Sequence, residues 1–173
     1  MTAEPKQGFP VSLRAVAQEM DLPNPDWTAY LNRRTGELFT VTDDDVRVAD
    51  AESDDDLPDW RAELMPKVRE VLASDDFLPL PSKYEIDDYR ILERFCDQVS
   101  DARVRDDLQR AIRGKGAFGR FKALAQRCGL LEAWYAYRDR ALEEIAAGWL
   151  EANGIAYIRE VVRVVRGKDG SGV

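Results

Sequence analysis

Histidine is absent from all 173 residues, and that absence excludes more chemistry than any motif in the chain admits. It removes the commonest general base and metal ligand, and with them the Ser-His-Asp and Cys-His triads and the usual zinc enzymes. Catalysis would have to run on carboxylates, lysine, tyrosine or a bound cofactor. Cysteine is scarce as well. Cys96 and Cys128 stand in separate amphipathic segments without CxxC spacing, so they make no zinc site, and both are expected to be small buried hydrophobes. Long apolar runs are missing. Nothing approaches the roughly 20 residues of a spanning helix, and Met1 to Pro10 carries no basic segment followed by an apolar stretch. The chain is therefore read as soluble and cytoplasmic, with no membrane partner.

What is present is a globular balance. Hydrophobic residues at 45% against charged residues at 34% can build a core under a highly charged surface, and the length suits one domain. The pattern predicts an α+β fold over residues 1–166. A sheet-containing part covers 11–81 and a helical part 82–153, while 155–165 is a possible edge strand for the N-terminal sheet. Residues 167–173 are expected to be a disordered tail.

Residues Leu13, Val16, Ala17 and Met20 recur at helical spacing behind Ser12, a capping residue, and Pro23 and Pro25 end the helix. Alternation from Trp27 to Val41, interrupted by Arg33-Arg34-Thr35-Gly36, predicts a β-hairpin with Gly36 left-handed. Thr42 to Asp59 carries many acids against the single base Arg47 and is read as a solvated connector. A helix over 59–73 follows, with Trp60, Leu64, Val68, Val71 and Leu72 on its apolar face and Pro66 kinking or shortening it. Phe77 to Leu80 could be a third strand. Beyond it, Ser82 and Glu85 make a capping box. Four helices then extend to Asn153-Gly154, broken near Ser100, at Gly114 to Gly116 and at Gly129. Phe118, Phe121, Trp134, Tyr135 and Trp149 fall on their core faces.

Four blocks stand out together. They are Tyr30-Leu31-Asn32 with Thr35-Gly36-Glu37, Leu80-Pro81-Ser82-Lys83-Tyr84-Glu85-Ile86, the run from Ala111 to Phe118, and Trp134-Tyr135 leading to Trp149-Leu150-Glu151 and Asn153-Gly154-Ile155. In their order and spacing the chain resembles a bacterial family of uncharacterised proteins, UPF0158, from about Val11 to Ile158. The resemblance implies no activity, ligand or partner and carries no functional residue over to this sequence.

Gly114-Lys115-Gly116-Ala117-Phe118-Gly119 spells GxGxxG. A dinucleotide fingerprint follows a strand, whereas Val104 to Ile112 has helical period, so the match lacks its context. The acidic runs Asp43-Asp44-Asp45 and Asp54-Asp55-Asp56 lack the glycine and closing glutamate of a calcium loop. Asp87, Asp88 and Glu93, or Asp139, Glu143 and Glu144, are carboxylates at helical spacing that nothing in the sequence brings together. No metal or cofactor is implied.

One constellation remains. Between Arg103 and Arg127 eight bases face only Asp106 and Asp107, in a chain of net charge -8. Arg113, Lys115 and Arg120 gather at a turn containing Gly114 and Gly116, next to a helix start whose free N–H groups favour an anion. The bland alternative is a tight helix-helix turn whose bases pair with acidic neighbours. The best expectation is a non-catalytic binding or regulatory module that holds an anionic or macromolecular partner, such as an acidic protein or a nucleic acid, by this turn. The rival is an enzyme acting on a phosphorylated or anionic small substrate.

Overall fold

The computed structural model describes residues 10–51 and 55–160. Its first elements follow from local chemistry. Val11–Ser12 form β1, and the Ser12 hydroxyl accepts the Ala15 N–H at 3.1 Å to start α1 (Leu13–Met20). Strands β2 (Trp27–Asn32) and β3 (Leu38–Thr42) pair as the expected hairpin. Asn32 Oδ1 accepts from the N–H groups of Arg34 and Thr35 at 2.9 and 3.1 Å, and Gly36 completes the turn at φ 77°. A side chain at Gly36 would also crowd Val11, whose Cγ1 lies 3.1 Å from where a Cβ would stand.

The acidic connector is not a connector throughout. Asp43–Asp50 form a helix, α2, closed by a capping box in which Thr42 accepts from the Asp45 N–H and Asp45 accepts from the Thr42 N–H, both at 3.1 Å. The three aspartates that suggested solvation sit in the first turn, where negative charge favours a helix. Helix α3 (Asp59–Ala73) runs through Pro66 and buries Met65, Val68 and Val71. Trp60, assigned to that face, lies off it in the first turn and is 65% exposed. Strand β4 (Phe77–Pro79) pairs antiparallel with the other edge of β2, giving the order β3-β2-β4.

The helical part has one break more than expected. The capping box of Ser82 and Glu85 starts α4 (Lys83–Ile86), but after one turn Asp87 adopts φ 47° and its carboxylate accepts the Arg90 N–H at 3.2 Å, starting α5 (Asp88–Asp97) afresh. Asp101 caps α6 (Ala102–Ala111), and α7 (Ala117–Arg127) and α8 (Leu131–Ala152) follow. Because α8 packs along α1, the chain leaving it emerges beside β1. Strand β5 (Tyr157–Ile158) therefore pairs parallel with β1 and not with the hairpin sheet. Residues 161–165 of the expected edge strand, and the expected tail, lie outside the described residues.

The result is α+β, a small antiparallel sheet with a mostly helical remainder. Strand β2 divides the interior by simple alternation, since Ala29 and Leu31 enter the larger core while Tyr30 packs against the smaller. The larger core centres on an aromatic group in which Phe95, Phe121 and Trp134 meet edge to face with ring centres 5.2–5.9 Å apart. The smaller is Val41, Met65, Val68, Val71 and Phe77, where α3 covers the sheet. Besides Trp60 and Leu72, which is 38% exposed, three expected core residues are instead solvent-facing. Phe118 is 39% and Tyr135 46% exposed, and Cys128, one residue past the end of α7, is exposed too. Cys96 is buried, which pushes its thiol up to about 11. No helix among the described residues is long and apolar enough to cross a membrane.

Candidate anion-binding turn

Helix α6 ends with carbonyl groups that need donors, as every helix does. Here the N–H groups of Ile112 and Arg113 serve the Leu108 and Arg110 carbonyls, and side chains from two other helices serve the carbonyls that follow. Arg120 donates from Nε to the Ala111 carbonyl at 2.8 Å, from Nη2 to that of Arg113 at 2.6 Å and from Nη1 to that of Lys115 at 2.5 Å. The Tyr89 hydroxyl donates to the Ile112 carbonyl at 3.0 Å, tying α5 to the same turn. Gly114 and Gly116 stand at φ 76° and 78°, and the Arg120 guanidinium lies 3.1 Å from where a Cβ on Gly116 would be. The glycines let the backbone wrap around one guanidinium.

Of the three bases that the sequence placed at this turn, Arg120 thus has its donors aimed at backbone. Arg113 and Lys115 are exposed, with no ion-pair partner among the described residues. They sit beside the first turn of α7, which has Gly116 at its N-cap and no side-chain cap. Elsewhere on α6 and α7, Arg110 pairs with Asp107 and Arg105 donates to the Val99 carbonyl at 3.1 Å. Arg103, Lys122 and Arg127 are exposed and lack an ion-pair partner among the described residues. The bases of this hairpin are mostly not neutralised locally.

Sequence reasoning put Phe118 inside, which left the basic run without an accessible aromatic. The partly exposed Phe118 instead lines a shallow cavity of about 480 Å³ with Lys83, Tyr84, Asp87 and Asp88. Tyr84 is 84% exposed. The carboxylates considered for acid-base work are divided among other tasks. Asp87 caps α5, Asp88 receives Arg138 at 3.2 Å and Glu144 receives Arg159 at 3.0 Å. Asp139 and Glu143 line a separate cavity of about 290 Å³ beside α1. Arg138 holds Asp21 as well, through two bonds of 2.8 Å, and draws that carboxyl below its ordinary value. Among the described residues no three carboxylate or thiol groups converge as a metal would require.

With the geometry in place, the comparison with known proteins gives a family and nothing further. The chain belongs to an uncharacterised protein family, UPF0158, whose model matches residues 13–164. No curated protein and no solved structure matches it.

Proposed function

We propose that this member of UPF0158 is a cytoplasmic, non-catalytic binding module that holds an anionic partner, an acidic protein or a nucleic acid, at the turn between α6 and α7. The observation that carries the reading is the division of labour among the three bases. One guanidinium, Arg120, fixes the backbone of the turn through three carbonyls, and the charges of Arg113 and Lys115 stand in solvent beside the unfilled start of α7. A turn made rigid by one base presents the other two at low entropic cost. The anionic character of the partner follows from charge: the segment is basic by six within a chain of net charge -8, so a polyanion is drawn to one focused patch and repelled elsewhere.

The test is retention on a polyanionic column at low salt. Wild type should be retained and should elute as salt rises, and Arg113→Ser with Lys115→Ser should pass through while keeping the wild-type circular dichroism spectrum. Equal retention of the two proteins, or no retention of wild type, removes the reading.

A further inference from the structure

A cavity of about 730 Å³ lies away from the turn, between the α4–α5 segment and α8. Its apolar lining is Ile86 and Ile91 on one side and Ala141 and Ile145 on the other. Tyr137 joins them with its ring held against Phe95, the centres 5.4 Å apart. Above these residues stand Arg90 and Arg94 on one wall and Arg140 on the other. All three arginines are exposed, and none has an ion-pair partner among the described residues. Among the described residues the only side-chain bond of the three is a long one, from Arg140 Nε to its own helix at the Ala136 carbonyl, 3.5 Å.

The described acids at the same groove make no ion pair with these arginines, although Glu85 and Asp87 keep their charge and only Glu144 is neutralised by another base. Glu85 accepts the Ser82 N–H at 2.6 Å, Asp87 accepts the Arg90 N–H at 3.2 Å, and Glu144 pairs with Arg159 at 3.0 Å. An acidic chain that leaves three guanidiniums unpaired around an apolar strip presents a surface complementary to something both apolar and negative. Arg90 and Arg94 are one helical turn apart, so carboxylates at i and i+4 on a helical occupant would meet them in register. A nucleic acid suits the groove less well, because its one aromatic ring is packed against Phe95 and its base is aliphatic, leaving no platform for stacking.

We infer that the groove between α5 and α8 is a docking site for an acidic amphipathic helix of a partner protein, its apolar face on the half-buried Ala141 and Ile145 and its carboxylates on Arg90, Arg94 and Arg140. This is helix-in-groove recognition with charge setting the register. The site is separate from the turn at Lys115 and stands whether or not that turn binds anions.

The experiment uses the full chain and two fluorescein-labelled peptides about four helical turns long. One carries leucines at i, i+3, i+4 and i+7 flanked by glutamates, and the other has the same composition in an order that forms no apolar face. Anisotropy should show the first binding about tenfold more tightly than the second, and Arg90→Gln with Arg94→Gln should weaken it about tenfold. Amide shift changes in isotope-labelled protein should fall on residues 86–94 and 137–145. Should the double variant fail to fold by circular dichroism, Arg140→Gln replaces it with the same expectation. Equal binding of both peptides, no binding of either, shifts confined to residues 111–118, or equal displacement by a single-stranded oligonucleotide would each overturn the proposal. So would self-association in sedimentation that Arg90→Gln with Arg94→Gln abolishes, since a second copy would then be the occupant.

Discussion

The two cores of this protein are held in different ways. The smaller, between α3 and the sheet, draws on residues 41–77 and is fastened around its edge by ion pairs. Arg61 reaches Asp44 and Asp45 at 2.6 and 3.4 Å, Lys67 reaches Glu37 at 2.8 Å, and Arg33 and Arg34 share Asp76. The larger gathers residues from Val11 to Ile155, so its contacts join segments far apart in sequence and close chiefly by aromatic and aliphatic burial. Its conspicuous ion pair is the clasp of Arg138 with Asp21 and Asp88. A region built from near neighbours relies on one short apolar strip and on ion pairs that are partly exposed, apart from the buried carboxylate of Asp45 under Arg61, whereas a region built from distant segments has to bury more. The exposed pairs typically contribute no more than about 1 kcal/mol each, and the smaller unit buries five core residues against the much longer set of the larger, which makes it the weaker one.

Core truncations should expose that contrast most strongly. Phe121→Ala removes a fully buried ring that touches Phe95 and Trp134 and should cost about 3–5 kcal/mol, lowering stability of the whole chain. Met65→Ala in the smaller core should cost about 2–5 kcal/mol at the lower end of that range, with hydrogen exchange rising first across residues 38–79. Uniform acceleration of exchange in Met65→Ala would show that the two cores unfold together.

A smaller effect should follow acidification. Asp21 is drawn below its ordinary 3.8 first by the hydrogen bond from Arg138. A carboxyl with a depressed folded pKa binds its proton more readily when the chain unfolds, so the clasp contributes fully above about pH 4 and is lost as pH falls through the folded value. Denaturant midpoints measured below pH 4 should fall more steeply for wild type than for Arg138→Met. Parallel curves would mean that the clasp carries no pH-dependent stability.

The smallest perturbation is thiol labelling. Exposed Cys128 should react with a thiol reagent in the native state, while Cys96, buried and pushed up to about 11, should react only on unfolding. Mass spectrometry that finds both modified at one rate in the native protein would contradict the placement of Cys96 in the larger core.

Much of this arrangement was legible wherever a local rule operates alone. Ser12, Asp101, the Ser82 and Glu85 box, and Gly36 each do what their residue types suggest, and the hairpin and the helix breaks follow. The errors lie where two signals competed. Thr42-Asp43-Asp44-Asp45 contains a capping box, but its density of acids read as solvation. Phe118 and Cys128 continue the spacing of Phe121 and Leu124, yet the buried stripe of α7 is Ala117, Phe121 and Ala125, and a small alanine is a weak marker. Arg120 could not be assigned from spacing, because its role depends on how α7 folds back on α6. Its only cue was a glycine-rich helix end whose carbonyls needed a donor. The groove between α5 and α8 was illegible for the same reason, since Arg90, Arg94 and Arg140 converge only through tertiary packing.

The central claim is that Arg120 builds the turn while Arg113 and Lys115 use it. Binding of a fluorescently labelled single-stranded oligonucleotide, titrated at several salt concentrations, tests it most directly. The wild-type affinity should fall linearly with salt on a logarithmic plot, and Arg113→Ser with Lys115→Ser should reduce the magnitude of that slope by about 1.4, the value for two lost contacts with a single strand. Arg120→Lys, which cannot span three carbonyls, should instead destabilise the fold by about 1–2 kcal/mol. An unchanged slope and affinity in the double variant would contradict the account.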